Sequence, residues 1–278
     1  MSRRVAARIT VHSLLILGAI AMIYPLLWMV AGSFRDADEV FREAGVIPDR
    51  IHFDNYAKGW TSLQHDFSRF YLNSFVIAGL VVAGNVISCS MAAYAFARIR
   101  FRLRGFWFAV MLITLMLPVH VVIVPQFVLY HQLDWIDTFA PLTVPHFLAA
   151  DAFFVFLMVQ FIRGIPIELD DAARIDGCGH VQIYLRVILP LLKPALITTA
   201  IFSFFWSWDN FFGQVIFLNS QENFTVPLGL RSFLDSSSRS NWPELLAMST
   251  LALVPVFTVF LALQRHLTEG IATTGLKS

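Results

Sequence analysis

Long apolar stretches recur along this chain, and they constrain its fold more than any other feature of the sequence. A helix needs roughly 20 mostly apolar residues to cross the hydrocarbon core of a bilayer. Six segments meet that requirement, at about 10–33, 71–96, 106–129, 141–162, 195–217 and 244–264. Prolines and polar residues interrupt them, which bundled membrane helices tolerate when their neighbours satisfy the freed backbone groups. We therefore predict an all-α, polytopic membrane protein with six transmembrane helices in a single domain over residues 1–278.

The composition excludes an ordinary soluble domain. Of the 278 residues, 57% are hydrophobic and only 14% are charged, which is too little charge to cover a soluble protein of this length. Three arginines precede the first apolar segment, as they do in a secretory signal peptide. That segment runs for about 25 residues, however, whereas the apolar part of a signal peptide has about 7–15. We expect an uncleaved first membrane helix.

Lysine and arginine are unevenly distributed among the segments that join the apolar stretches. Cytoplasmic segments of membrane proteins carry an excess of positive charge. With both termini in the cytoplasm, 13 of the 20 Lys and Arg residues fall on that side, four of them within the short segment 98–104. The pattern predicts an N-in/C-in topology, with residues 163–193 in a cytoplasmic loop and residues 34–70 and 218–243 in outer loops.

Motifs for catalysis and metal binding are absent from the sequence. No lysine follows a glycine, so there is no G-x-x-x-x-G-K-[ST] phosphate loop, and neither H-E-x-x-H nor a nucleophile elbow occurs. The two cysteines form no disulfide or metal pattern. The histidines His120, His131, His146 and His180 lie in different segments. We expect no metal, no cofactor and no enzyme activity; the chain is either a conduit that other subunits power or a secondary transporter.

The predicted cytoplasmic loop has the pattern of a short helical hairpin. Pro166 suits a first helical turn, and the acids after it place negative charge at the positive end of the helix dipole. Asp176 and Gly177 supply a stop signal. A second amphipathic piece runs from Val181 to Leu189 before the chain returns to the membrane.

One face of the first hairpin helix carries a narrow stripe of small and apolar side chains, from Leu169, Ala172 and Ala173. Small side chains permit close approach by a second protein surface. A solvated loop helix is the alternative. Because the helix is short, capped at both ends and placed between membrane spans, we predict that it docks on another protein.

The same loop carries a long, gapped motif. It contains Asp171-Ala172-Ala173, then Gly177 after three residues, then Val187-x-Leu189-Pro190 after nine more. This arrangement resembles the EAA-x3-G-x9-I-x-LP motif of the inner-membrane permease subunits of ATP-binding-cassette (ABC) importers. Asp171 replaces a glutamate and Val187 an isoleucine, so charge and shape are kept.

The resemblance extends over nearly the whole chain and is closest to the MalG-like branch, the six-helix permeases of carbohydrate importers. The matching stretches, in order, are NSFVIAG, MAAYAFARIRFRLRG, LPVHVVIVPQFVLYHQLDWIDT, IPIELDDAARIDG, WSWDNFFGQVIFL, FTVPLGL and QRHLTEGIATTGLK. The resemblance implies a non-catalytic subunit of a sugar importer in the cytoplasmic (inner) membrane of a bacterium or archaeon. A permease for a polyol or sugar phosphate, or an ATP-independent secondary transporter, is the alternative.

The resemblance also implies partners. In such importers a second permease subunit completes a heterodimer, two ATP-binding subunits hold the ATP, and an extracytoplasmic solute-binding protein delivers the solute. Membrane lipid is expected around the chain, and nucleic acid is not. The expected ATPase-coupling residues are Glu168, Asp171, Ala172, Ala173, Asp176, Gly177, Val187, Leu189 and Pro190. The tail 270–278 resembles the family's segment that reaches the ATPase interface.

Polar residues within the apolar stretches are candidates for the solute path, because polar groups are costly inside a membrane. These candidates are Asn85, Asp151, Gln160, Asp209, Asn210 and Gln214. Two of them lie in FFWSWDNFFGQ, where aromatic rings could face sugar C–H groups while amides and carboxylates bind hydroxyls. Hydrogen bonding between helices is the alternative role of each.

The loop 218–243 resembles the family's loop that probes the cleft of the binding protein. The alternative is that it is an ordinary connection between two helices.

Overall fold

The computed structural model describes residues 3–40, 42, 45, 48, 50–235 and 241–275, which form helices and turns with no β-strand among them. The first helices are α1 (Arg3–Gly32), α2 (Asp54–Thr61), α3 (Phe67–Arg98), α4 (Arg104–Thr114) and α5 (Val119–Gln132). Next come α6 (Ala140–Thr143), a 3-10 helix (Val144–Leu148), α7 (Ala152–Gly164), α8 (Glu168–Ile175) and α9 (His180–Ile183). The last are a π-helix (Tyr184–Ile188), α10 (Leu189–Leu191), α11 (Lys193–Trp208), α12 (Phe211–Phe217), a 3-10 helix (Gln221–Asn223), α13 (Val226–Asp235) and α14 (Trp242–Gly275).

Several of these helices are long and apolar enough to cross a membrane. Four segments qualify alone, namely Arg8–Gly32, Phe67–Arg98, Ala140–Gly164 and Trp242–Gln264. Two more qualify as bent pairs: α4 with α5, bent by 101°, and His180–Leu191 with α11, bent by 76°. The described residues thus contain four spans, or six if each bent pair is one span. The predicted all-α, polytopic membrane fold is confirmed.

Prolines accompany both bends. Pro118 immediately precedes α5 in an extended conformation, and Pro190 and Pro194 flank the turn between α10 and α11. Proline has no backbone N–H and disfavours a helical residue before it, so a helix is interrupted there. By contrast, α3 contains no proline and continues unbroken for 32 residues.

Ala140–Gly164 is the third of the four spans that qualify alone (hereafter the third span), and it is irregular in its middle. Between its 3-10 helix and α7, Ala149 adopts the left-handed conformation, with φ of 54°. Ser88 on α3 stabilises this break: its hydroxyl donates to the His146 carbonyl oxygen at 2.7 Å and accepts from the Ala149 amide at 3.1 Å. Gly84 permits the close approach, since a Cβ there would lie 3.0 Å from the His146 carbonyl carbon. Protein groups thereby satisfy irregular backbone within this candidate span.

The chain divides into two compact units, Met1–Ser68 with Gly229–Val254, and Arg69–Leu228 with Pro255–Ser278. In the first unit Asn55 is buried, and its side-chain amide donates to the carbonyl oxygens of Ser33 and Arg35 at 3.0 and 2.9 Å. These bonds hold α2 against the turn that follows α1. The polar hairpin and the cavity described next lie in the second unit.

Candidate coupling hairpin and membrane cavity

The polar loop after α7 contains two helical segments. The first, α8, begins at Glu168 with Ile167 as its N-cap, so Pro166 precedes the first turn and does not lie in it as expected. Three acids occupy that first turn, where they face the positive end of the helix dipole. The second segment runs over His180–Leu191, slightly beyond the expected limits, and includes the π-helix.

Gly177 terminates α8 in the left-handed conformation, with φ of 81°. Its amide donates to the Arg174 carbonyl oxygen at 3.0 Å, and the Cys178 amide donates to that of Ala173 at 2.9 Å. This pair of bonds is the Schellman arrangement, which satisfies the last carbonyls of a helix and requires a positive φ that glycine adopts most readily. The stop predicted at this glycine therefore has a backbone cause.

One face of α8 is directed into the protein and the opposite face outward. Asp170 and Ala173 are buried, whereas Leu169 and Ala172 are exposed. The stripe expected from Leu169, Ala172 and Ala173 is therefore divided between two faces, because α8 rotates to bury its second acid. The remaining candidate coupling residues of this part are all exposed: Glu168, Asp171, Asp176 and Gly177.

The buried acid of α8 pairs with an arginine at the end of α3. Arg98 Nε lies 3.1 Å from Asp170 Oδ2, and the two side chains are 6% and 0% exposed. Among the described residues neither Asp170 oxygen has a hydrogen bond of good angle, so the contact is one between charges. Arg98 also donates from Nη2 to the Ile165 carbonyl oxygen at 2.7 Å. Loss of either charge would leave the other buried and uncompensated, so the pair fixes α8 to α3.

The second half of the hairpin contacts the same helix. The Tyr184 hydroxyl lies 2.7 Å from Ser90 Oγ, and the Tyr184 ring packs on Tyr94 with centroids 5.4 Å apart. The Tyr94 hydroxyl lies 3.5 Å from His180 Nδ1. Of the motif residues here, Val187 and Leu189 are half-buried and Pro190 is exposed.

A cavity of about 320 Å³ lies beside the irregular third span. Its wall brings together four of the six predicted polar residues: Asn85, Asp151, Asn210 and Gln214. Ser203, Trp206 and Ser207 of α11 contribute hydroxyls and an aromatic ring to the same wall. Gln160 and Asp209 are exposed and lie elsewhere.

Three of the polar residues of the wall also have structural partners. Asn85 Nδ2 donates to Ser203 Oγ at 3.0 Å, which joins α3 to α11. The Gln214 side chain accepts a hydrogen bond from the Thr225 hydroxyl. Asn210 caps α12 with its side-chain oxygen. These groups thus take interhelical or capping roles while they line the cavity.

Two ionisable residues meet across the break in the third span. His146 Nδ1 lies 2.5 Å from Asp151 Oδ2, with the side chains 27% and 30% exposed. No pattern in the sequence indicates this contact, which depends on the left-handed turn at Ala149. Among the described residues that line the cavity these two alone are ionisable, and none is Lys or Arg. The wall therefore carries a formal charge of zero or −1.

Asp137, between α5 and α6, fixes the segment after α12. Its carboxylate accepts hydrogen bonds from the amides of Asn219 and Ser220, both at 2.9 Å, and from the Ser220 hydroxyl. Burial opposes ionisation, but these hydrogen bonds outweigh it and hold the pKa of Asp137 below its usual value of 3.8. No periodic pattern predicts such a contact, because it joins residues 82 apart in the sequence.

The same segment is attached to the beginning of α3. Asn73 Nδ2 donates to the carbonyl oxygens of Glu222 and Phe224, both at 2.8 Å, and the Val226 amide donates to Ser74 Oγ at 2.9 Å. The first part of the predicted outer loop 218–243 is therefore held on α3, whereas its residues 236–240 lie outside the described residues.

In the predicted ATPase-contacting tail, α14 continues to Gly275, and residues 276–278 lie outside the described residues.

Known proteins share both this sequence pattern and this fold. The family model "Binding-protein-dependent transport system inner membrane component" matches residues 84–273. The chain is 34% identical over 262 residues to the arabinooligosaccharides transport system permease protein AraQ of Halalkalibacterium halodurans, covering 93% of this chain and 92% of that protein. It is 31% identical over 281 residues to the sn-glycerol-3-phosphate transport system permease protein UgpE of Brucella abortus, covering 99% of each.

A solved structure has the same fold. A chain in the crystal structure of a bacterial ABC transporter involved in the import of the acidic polysaccharide alginate matches with a TM-score of 0.82 and 23% identity, covering 95% of this chain and 98% of that one. The resemblance read from the hairpin motif is confirmed. The chain belongs to the binding-protein-dependent transport system inner membrane components, and it is a multi-pass, non-catalytic permease subunit of an ABC transporter of the inner membrane.

Proposed function

We propose that this permease translocates a sugar that an extracytoplasmic binding protein delivers, and that separate ATPase subunits drive it by docking on residues 163–193. A second permease subunit and two ATP-binding subunits complete the transporter. Residues 1–278 form one permease domain, with both termini and the hairpin in the cytoplasm.

The two-faced geometry of α8 carries the docking proposal. Its inner face is anchored by Asp170, while the outer face presents Glu168 and Asp171. Ile175, at the end of the helix, is 87% exposed, and Val181 in the next segment is 70% exposed. Apolar side chains this exposed, beside acids on a helix fixed at both ends, suit burial against a partner protein.

We assign the solute path to the cavity. Asn85, Asn210 and Gln214 offer amides there, and Trp206 offers an aromatic face, a combination that suits the hydroxyls and C–H faces of a sugar. The similarity to the arabinooligosaccharides permease supports the same class of solute. Gln160 and Asp209 would contact solute where the partner permease closes the path around their exposed side chains.

A phosphate ester is the second candidate solute, because the chain is 31% identical to the glycerol-3-phosphate permease over its full length. Protein sites for phosphate commonly use the charge-assisted hydrogen bonds of Arg or Lys. The described residues of the cavity wall include neither, and Asp151 adds a carboxylate there. An anion would find no Lys or Arg partner among these residues, so the wall favours an uncharged sugar.

Reconstitution tests which class of solute the permease transports. The permease is combined with its partner permease, ATPase subunits and binding protein, and ATP hydrolysis is measured with arabinotriose or sn-glycerol 3-phosphate. We expect stimulation by the saccharide; stimulation by the phosphate ester alone would contradict the sugar assignment.

A bulky substitution tests the docking site. Gly177→Leu should abolish ATP-driven uptake while membrane insertion persists, because the new side chain projects into open space that the partner would fill. Gly177→Ala is the matched control, since it has the same left-handed φ of 81° but a side chain too small to fill that space. Normal uptake in Gly177→Leu would contradict docking at this hairpin.

A further inference from the structure

Three residues at regular spacing attach the C-terminal part of α3 to the hairpin. Ser90, Tyr94 and Arg98 recur every fourth residue and so lie on one helix face. Ser90 contacts Tyr184 at 2.7 Å, Tyr94 lies 3.5 Å from His180, and Arg98 pairs with Asp170 at 3.1 Å. The hairpin is therefore attached along more than two turns of a helix that is not adjacent to it in sequence.

The opposite end of α3 binds the segment after α12. Asn73 donates to two carbonyl oxygens of that segment, and Ser74 accepts from a third residue of it. About 38 Å separates Asn73 from Arg98 along the helix, at a rise of 1.5 Å per residue. The same helix contributes Asn85 to the cavity wall between these two ends.

Rigidity distinguishes α3 from the other described spans. Helices α1 and α14 contain Pro25 and Pro255, and the third span is irregular at Ala149. Both remaining spans are bent pairs. Because prolines and breaks in the hydrogen-bond ladder are where helices bend, α3 is the span best able to transmit a displacement over its whole length.

We propose that α3 is the link that transmits movement of the hairpin to the segment 218–226, with Ser90, Tyr94 and Arg98 as positioning residues at one end and Asn73 at the other. This rests on the docking function proposed above. ATPase closure would move the hairpin, α3 would move with it, and both the cavity wall at Asn85 and the segment 218–226 would follow. Coupling would then require both ends of the helix to stay attached.

Maleimide labelling of a cysteine at Glu222 tests the proposal in the complete complex. Glu222 is exposed in the attached segment, Cys89 is buried, and Cys178→Ser removes the remaining thiol. Labelling rates are compared without nucleotide and with ATP plus vanadate, so no transported solute is needed. We expect the ratio of the two rates to differ from one in the parent complex. Arg98→Gln and Asn73→Ala should each bring this labelling ratio closer to one, by a factor of roughly 2 to 30.

The double variant distinguishes transmission through one helix from two independent local defects at its ends. Substitutions this far apart normally have additive effects. If one helix carries the coupling, Arg98→Gln with Asn73→Ala should be no worse than the more severe single variant. Ser90→Ala removes the contact with Tyr184, together with the hydroxyl's bonds to the Val86 and Ile87 carbonyl oxygens within α3. It should reduce the ratio even if Arg98→Gln fails to assemble.

Exposed neighbours provide matched controls. Arg100→Gln removes a nearby charge and Leu72→Ala a nearby side chain, and both should leave the labelling ratio unchanged. Three results would overturn the proposed link. The first is a labelling ratio of one in the parent complex, and the second is an unchanged ratio in both single variants. The third is a double variant whose effect on the ratio is the product of the two single effects. If Gly177→Leu also leaves the labelling ratio unchanged, the docking function itself is contradicted. If Gly177→Leu brings the ratio to one while the α3 variants do not change it, docking stands and the proposed link fails.

Discussion

Arg98 at the end of α3 and Asp170 on α8 place opposite charges 3.1 Å apart, with side chains that are 6% and 0% exposed. This pair determines which way α8 faces. Its neighbour Asp171 points outward and forms an exposed contact with Arg174, at 2.7 Å. Two adjacent acids of one motif thus have different roles, one as the internal anchor of the hairpin and the other on its docking surface.

Neutralising these two acids should therefore have unequal effects on stability. Asp170→Asn leaves Arg98 buried without a counter-charge, which costs about 3–5 kcal/mol in comparable pairs. Asp171→Asn loses an exposed contact worth roughly 0–1 kcal/mol. Thermal unfolding of the detergent-solubilised protein should show a much lower midpoint for the first variant. Equal midpoints would refute the anchor role.

A side chain at Gly177 should destabilise the hairpin through its backbone. At φ of 81° Gly177→Ala costs roughly 1–2 kcal/mol, because a Cβ is disfavoured in the left-handed region, although the space around it is open. Gly179→Ala is the control, since Gly179 has φ of −78° and equally open space. Amide hydrogen exchange in α8 should rise in the first variant only. Similar exchange in both would show that the turn tolerates a Cβ.

The close packing of α3 on the third span should depend on Gly84. In Gly84→Ala the new methyl group would lie 3.0 Å from the His146 carbonyl carbon, and the backbone must move at a cost of about 1–3 kcal/mol. Gly79→Ala meets nothing within 4 Å and should be neutral or stabilising by up to about 1 kcal/mol. Unfolding midpoints of the two variants measure this difference. A stable Gly84→Ala protein would mean that the break in the third span adapts easily.

The attachment of residues 219–220 should weaken in acid. Because the folded pKa of Asp137 lies below 3.8, its contribution to stability is fully present above that pH and is lost as the pH falls through the folded pKa. Hydrogen exchange of the Asn219 and Ser220 amides should increase over that window. Asp137→Asn should show the increase already at neutral pH, whereas Asp134→Asn, at an exposed neighbouring acid, should not. Protection that is independent of pH in the parent protein would exclude the carboxylate as the holding group.

Apolar length and motif spacing were sufficient to predict much of this protein. Membrane helices need long apolar segments whatever their neighbours are, so the polytopic all-α fold could be predicted from local composition. The spacing from Asp171 through Gly177 to Pro190 was enough to identify the family. The stop at Gly177 was also predictable, since only a few residue types adopt its conformation readily.

The tertiary structure alone decided which of two adjacent acids is buried, which polar residues share a cavity, and what holds the segment after α12. Asp170 and Asp171 have the same side chain, and only Arg98, 72 positions before Asp170, distinguishes them. His146 meets Asp151 through one left-handed residue, and Asp137 meets Ser220 across 83 positions. Local patterns report the period of a helix and its ends, whereas a buried charge or hydrogen bond depends on a partner that only the folded chain brings near.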